Sequence, residues 1–291
     1  MGVGVSSMMG MGMGVETGRR STGFGDLPEG CVAEVLALLD VPEICRLGKL
    51  SRVFRAAAAA DLVWEKKLPG NYGYLIERVL GETDLRGGLS KREIYARLSR
   101  PNRFDGGAKE LWLEKNSGSI CLLISSKAFS ITGIDDRRYW NYIPTEESRF
   151  QNVAYLQQIW WFEVGGEIEF CFPKGTYSVF FRVHLGRISK WLGRRSISPE
   201  HIHGWNKKPV KFQLTTSDDQ HAISQCYIDS PGNWVHYHVG DFTVRNSNVP
   251  TKVKFSMIQI DCTHTKGGLC VDSVLICPKG FRQEKDPRMY K

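Results

Sequence analysis

No stretch of this sequence approaches the roughly 20 consecutive apolar residues that a membrane-crossing helix requires, so a helical membrane protein is excluded. The opening Met/Gly-rich stretch to Gly25 lacks the basic start and unbroken apolar run of a secretory signal, so no route into an oxidising compartment is expected. Eight cysteines, at positions 31, 45, 121, 171, 226, 262, 270 and 277, contain no CxxC pair. The common zinc and redox spacings are thereby absent, and the cysteines are expected to be thiols that pack as small hydrophobes. Nucleophile motifs, phosphate loops and paired carboxylates at a recognisable spacing are missing as well. Neither catalysis by this chain, nor a metal, nor a cofactor is expected. Strong one-sided charge is also absent: a formal net charge of +8 is mild, and no nucleic-acid partner is expected.

What is present is ordinary globular composition, 42% hydrophobic and 24% charged over 291 residues, enough chain for two domains or one large one. Residues 1 to 25 are low in complexity and cannot bury enough area to offset chain entropy, so a disordered tail is expected there. Its first six residues, Met1 to Ser6, fit the pattern for myristoylation of Gly2. A single such chain binds membranes with an association constant on the order of 10⁴ per molar. Arg19 and Arg20 add little, so at most transient membrane contact is expected.

Helical spacing begins after this tail. Asp26 can cap a helix started by Leu27 and Pro28, with Val32, Val35, Leu36 and Leu39 on one face. Pro42 restarts a short helix carrying Ile44 and Leu47, and Leu50, Val53 and Phe54 continue the pattern toward Asp61 and Trp64. Three short helices in about 40 residues make a meagre core, and units that small usually lean on a partner. Leu27-Pro28, Val35-Leu36 with Leu39, Ile44-Cys45-Arg46-Leu47, Ser51-Arg52-Val53-Phe54-Arg55 and Asp61 with Trp64 together resemble an F-box over residues 26 to 66. The resemblance implies docking on a Skp-type adaptor and, through it, a cullin. The expected docking residues are Leu27, Pro28, Val35, Leu36, Leu39, Ile44, Leu47, Leu50, Val53, Phe54 and Trp64.

Residues 67 to 107 read as a connector with helices at Tyr74 to Leu80 and Ser90 to Leu98. Glu93 follows Ser90 by three, the spacing of a capping box, and Gly87-Gly88 and Gly106-Gly107 are the expected joints. From Ala108 the period changes to two. Short β-branched and aromatic runs at Leu111–Lys115, Ile120–Ile124, Gln158–Val164, Tyr177–Leu185, Val210–Leu214, Trp234–Val239, Val253–Ile260 and Leu269–Ile276 are separated by turn residues. An all-β sandwich or barrel is expected, with Val253, Phe255, Met257 and Gln259 on the core face of their strand.

Lys109-Glu110-Leu111-Trp112, Phe129-Ser130-Ile131-Thr132, Arg138-Tyr139-Trp140, Ile159 to Gly166, Tyr177 to Phe181, Gly232-Asn233-Trp234 and Val239 to Phe242 resemble the plant phloem protein 2 family. With the F-box in front, the chain resembles the A-type members. The resemblance implies an α+β multidomain architecture: tail 1–25, all-α F-box 26–66, helical linker 67–107, lectin-like β-sandwich 108–280 similar to the tobacco lectin Nictaba, and flexible tail 281–291. It also implies a carbohydrate-type site. Trp140 is the expected stacking ring, because a pyranose presents an apolar C–H face to a π surface, and Tyr139, Arg138, Asp136 and Asn141 are its expected polar neighbours. Packing of Trp140 against the sandwich is the alternative. Gly133 stands where the lectin pattern has a second tryptophan, and Lys254 and Gln259 stand where it has acidic residues.

Trp160, Trp161 and Phe162 are expected in the sandwich core. The pairs His201/His203 and His236/His238 have no partner set that suggests a metal. Arg187, Lys190, Trp191, Arg194, Arg195, Trp205, Lys207, Lys208 and Lys211 are expected to form a solvated basic loop. The implied function is the substrate receptor of a Skp–cullin–F-box ubiquitin ligase in the cytoplasm and/or nucleus, taking a protein or glycoprotein target or a glycan. The alternative is a cytosolic or nuclear lectin in which the F-box is secondary.

Overall fold

The computed structural model describes residues 27–81, 88–115, 117–191, 194–198 and 201–281, with backbone alone at 187–191 and 194–198. The tail with Gly2, the Asp26 cap, Gly87 and residues 282–291 lie outside the described residues, as do the side chains of Arg187, Lys190, Trp191, Arg194 and Arg195.

Among the described residues, six helices come first: α1 (Glu29–Leu36), α2 (Val41–Leu47), α3 (Arg52–Ala59), α4 (Asp61–Glu65), α5 (Tyr72–Val79) and α6 (Lys91–Leu98). Pro28 occupies the cap position of α1, and Pro42 sits in the first turn of α2, where its missing N–H costs nothing. The Ser51 hydroxyl accepts from Phe54 N at 3.2 Å to start α3. The expected capping box is formed: Ser90 N donates to Glu93 Oε2 at 2.9 Å and Glu93 N to Ser90 Oγ at 3.3 Å, a device worth about 1 kcal/mol. Val32, Ala33, Leu36, Ile44, Ala57, Val63 and Trp64 fill the small helical core, and Trp64 Nε1 closes it by donating to Ala58 O at 2.7 Å.

The strands are β1 (Asn102–Phe104), β2 (Lys109–Leu113), β3 (Ile120–Ser125), β4 (Ser130–Ile131), β5 (Trp140–Pro144), β6 (Asn152–Leu156), β7 (Phe162–Phe170), β8 (Gly175–Leu185), β9 (Arg187–Trp191), β10 (Arg194–Ser198), β11 (Val210–Thr216), β12 (His221–Cys226), β13 (Trp234–Val244), β14 (Thr251–Gln259) and β15 (Leu269–Pro278). One sheet runs β1-β2-β3-β15-β6-β5, with β8 on the other side of β15 and β13 beyond it. The second sheet runs β12-β11-β14-β7-β4, and β9 pairs with β10 as a separate ribbon. All pairings between named strands are antiparallel.

Between the two main sheets, Phe181, Phe212, Phe255 and Phe129 interlock edge to face or tilted, with ring centroids 5.6 to 6.1 Å apart. On β14, Val253, Phe255, Met257 and Gln259 point inward as the alternation predicts. β15 is buried on both faces, which explains its nearly continuous apolar sequence. Its outer side is covered by residues 145–151, where Ser148 Oγ donates to Asp272 Oδ1 and Arg182 donates to Asp272 Oδ2 at 2.6 Å. The Arg182 guanidinium lies 4.1 Å from the Trp234 ring centre.

Two expectations about the connector are revised. Gly106-Gly107 is the turn of the β1–β2 hairpin and not a joint: Phe104 pairs with Lys109, and Asp105, Gly106 and Gly107 all adopt positive φ, which glycine tolerates. The sheet therefore begins at Asn102, inside the stretch read as linker. The helical end is also packed onto the sandwich. Asn71 Nδ2 donates to Cys171 O at 2.7 Å, Tyr74 meets Phe170 edge-on at 5.2 Å, and Tyr95 packs at a tilt against Trp64 while its hydroxyl donates to Lys115 O at 3.2 Å. One buried apolar cluster runs from Val32 to Ile276.

Candidate partner-binding faces

Two surfaces carry the residues singled out from sequence. The first is on α1 to α4. Leu36, Ile44 and Trp64 are buried and build the helical core, while Leu39, Leu47, Val53 and Phe54 are half-buried against it. Pro28 is exposed. Five large apolar side chains among the described residues of this surface point to solvent, among them Leu27 at 43%, Val35 at 44%, Leu50 at 68% and Leu38 at 80% relative exposure. The expected docking set thus divides into residues that hold the helices together and residues free to meet a partner. Leu38 was not anticipated because it falls just past the end of α1, outside the helical period. Leu62 on α4 was likewise missed and is 41% exposed.

The second surface is the loop from Ile134 into β5. Asp136, Arg138 and Tyr139 come together: Arg138 clasps the Asp136 carboxylate with contacts of 2.6 to 3.1 Å and lies over the Tyr139 ring at 5.6 Å. These hydrogen bonds hold the Asp136 carboxyl below its usual range and raise Arg138 above its own. Each group occupies the other. Asn141 Nδ2 donates to Arg137 O at 3.3 Å. Trp140 does not join them at the surface. It is 1% exposed, stacked on Phe162 at 6.2 Å, and its Nε1 donates to Thr132 O at 3.0 Å. As the first residue of β5 it faces the inter-sheet core, so the expected stacking role is corrected to a packing role.

The opposite correction applies at Trp160 and Trp161, which were expected in the core and are 53% and 46% exposed. The segment before β7 is a bend held by a bridge between Ile159 and Lys266, so strand alternation does not extend back to these residues. Phe162 alone is buried. Trp205, expected in a solvated loop, is also core: it lies edge-on to Phe162 at 5.0 Å and donates to Gly267 O at 2.7 Å.

Residues 119–278 match the family described as Phloem protein 2. F-box protein PP2-A13 of Arabidopsis thaliana is 63% identical over 260 residues, covering 89% of this chain and 89% of that protein. F-box protein PP2-A12 of the same plant is 58% identical over 263 residues, 90% of each chain. This chain belongs to the phloem protein 2 family. It is an A-type plant F-box member, with a helical F-box end and a lectin-like sandwich. Among solved structures, a family 35 carbohydrate binding module from Clostridium thermocellum overlays with a TM-score of 0.30 at 7% identity, covering 53% of this chain and 97% of that one.

The three positions expected from sequence to depart from the lectin pattern sit in distinct settings in this phloem protein 2 chain. Gly133 has φ +78°, and a Cβ there would stand 3.2 Å from the Tyr139 ring, so a tryptophan at this position would be strained. Lys254 is exposed and reaches toward Glu167 at 3.8 Å. Gln259 is buried and donates to Lys208 O.

Among the described residues, no group of three or more His, Cys, Asp or Glu is placed to hold a metal, and no helix is long and apolar enough to cross a membrane. His203 Nδ1 lies 2.9 Å from His201 O, and His238 Nε2 lies 2.9 Å from Asp241 Oδ1. Burial, with the neighbouring Arg182 cation, lowers His236 from 6.5 to about 4. A base depressed in the folded state stabilises the fold above its unfolded value and loses that contribution as pH falls through its folded value. Denaturant midpoints should therefore fall between pH 6.5 and 4 by at most about 3 kcal/mol of stability, and His236→Gln should flatten that limb. An unchanged slope in the variant would show that His236 does not carry the effect.

Proposed function

We propose that this phloem protein 2 chain is a non-catalytic substrate-receptor subunit of a Skp–cullin–F-box ubiquitin ligase, working in the cytoplasm and/or nucleus. In this reading the F-box docks the Skp-type adaptor and the sandwich holds a protein or glycoprotein target. The observation that carries it is the exposed Leu27, Val35, Leu38 and Leu50 set on a helical unit too small to bury them. Several large apolar side chains left exposed on so small a unit point to an interaction surface.

The chain's contribution to ubiquitin transfer is proximity. Holding a target on one rigid frame with the adaptor turns a bimolecular encounter into a local one. The Asn71–Cys171 hydrogen bond and the Tyr74–Phe170 contact supply that rigidity. The lectin alternative loses its stacking ring, since Trp140 is in the core.

The reading is tested by affinity purification from plant cells with the proteasome blocked, comparing wild type with Val35→Glu/Leu50→Glu. Wild type should carry adaptor, cullin and polyubiquitylated proteins. The double variant should keep the same sandwich-bound proteins but lose their ubiquitin chains. An equal ubiquitin load on both would overturn the receptor role.

A further inference from the structure

The geometry points to an acidic rim on the adaptor, whose carboxylates meet the unpaired cations Lys49, Arg52 and Arg55 around the exposed Leu50. This inference rests on the reading of α1 to α4 as the adaptor-docking unit. It adds which charge the partner presents and where.

Charge along the helical end is split, not mixed. From Glu29 to Glu43 the chain has carboxylates at 29, 34, 40 and 43 and no lysine or arginine. From Ile44 to Ala60 it has Arg46, Lys49, Arg52 and Arg55 and no carboxylate.

Ion pairs within the unit cancel part of each half and leave the rest. Glu43 holds Arg46 at 3.1 Å, and Glu34 holds Lys66 at 2.5 Å. The carboxylates of α4 are engaged by α6: Asp61 accepts from Lys91 N at 3.0 Å, and Glu65 takes the Lys91 ammonium at 3.1 Å. Lys49, Arg52 and Arg55 form no ion pair among the described residues, with Glu29 and Asp40 or with any other carboxylate. Asp40 stands at the start of α2 and Lys49 just past its end, about 10 Å apart along a helix of that length.

The corner between α2 and α3 is fixed by its backbone. Lys49 N donates to Arg46 O at 3.1 Å and Leu50 N to Leu47 O at 2.9 Å, and the Ser51 cap then starts α3. Arg52 and Arg55 lie three residues apart on one side of α3 with the exposed Ala56 and Ala59. Val53, Phe54, Ala57 and Ala58 turn inward. All three cations are exposed, beside Leu50 at 68%.

Three like charges within seven residues repel one another, and nothing in the described fold offsets them. Their field reaches only about 8–10 Å in physiological salt, so they act on a partner close to contact. An apolar side chain beside such cations accepts an apolar groove edged with Asp or Glu and rejects a basic edge. Charges placed at a rim govern association rate and orientation more than final affinity. Because Glu29 and Asp40 give the opposite half the opposite sign, the split also fixes which way round the adaptor sits.

The test is stopped-flow association of the full-length chain with a purified plant Skp-type adaptor. Ionic strength is raised from about 0.05 M to about 0.5 M, which shortens the screening length about threefold. The wild-type association rate should fall at least about tenfold over that range. Lys49→Glu/Arg52→Glu/Arg55→Glu should associate at least about tenfold more slowly at low salt and lose the salt dependence. The neutral variant Lys49→Gln/Arg52→Gln/Arg55→Gln should lie between the two, and Glu29→Gln/Asp40→Asn should associate no more slowly than wild type. The three cations lie outside the helical core, so thermal melts of these variants should match wild type; if the reversed variant melts early, the neutral one carries the comparison. An association rate flat with salt, or unaltered by reversing or neutralising the cluster, would overturn the acidic rim and leave adaptor docking standing. A wild type that binds no adaptor at any salt would remove the receptor reading and this inference with it.

Discussion

Trp140→Ala should lose about 3–5 kcal/mol of stability, the range for deleting a large aromatic from a packed core. That is a large share of the roughly 5–15 kcal/mol that holds an ordinary domain together. The indole is 1% exposed, and its removal would leave a void beside Phe162. It would also strip Thr132 O of its 3.0 Å donor, a smaller loss because Thr132 is exposed and water can take the donor's place. Trp140→Phe keeps most of the ring volume and should lose about 1 kcal/mol for the hydrogen bond plus a small packing defect. Chemical denaturation of the full chain, read by near-ultraviolet circular dichroism, checks both. A Trp140→Ala protein with wild-type midpoint would show that the ring is not core and would reopen a surface role for it.

Trp140 also marks where the sequence could be read and where it could not. Two helix starts were legible because their signals are local: Pro42 at a first turn and Ser90 with Glu93 as a capping box act within four residues of chain. Strand β14 was legible because its alternation is clean and one face meets the core. Strands β5 and β6 were not, since Trp140–Pro144 and Asn152–Leu156 are five-residue segments without a clear period of two.

The two tryptophan assignments were inverted for a nonlocal reason. An aromatic pair beside a strand reads as core by alternation, but Lys266, 106 residues away, bends Trp160 and Trp161 outward. A Tyr-Trp pair in a polar loop reads as surface, but Thr132 O and Phe162 draw Trp140 inward. The F-box face was half legible. Helical spacing identified its apolar residues, yet which of them turn inward depends on how α1, α3 and α4 pack, so Leu36 and Val35, neighbours in sequence, end on opposite sides.

The largest functional effect is expected at that face. Val35 and Leu50 are 44% and 68% exposed, so glutamate at both positions leaves the helical core intact and should change the melting temperature little. In a complex, each carboxylate would be desolvated without a partner, which costs several kcal/mol when an apolar interface closes over it. Adaptor affinity should therefore fall roughly 100-fold or more, equivalent to about 2.7 kcal/mol. The most direct test of the whole account is isothermal titration calorimetry of the purified full-length chain with a plant Skp-type adaptor, wild type beside Val35→Glu/Leu50→Glu. Tight one-to-one binding by wild type and its loss in the equally stable variant is the expected result. No adaptor binding by wild type, or equal binding by both, would contradict it.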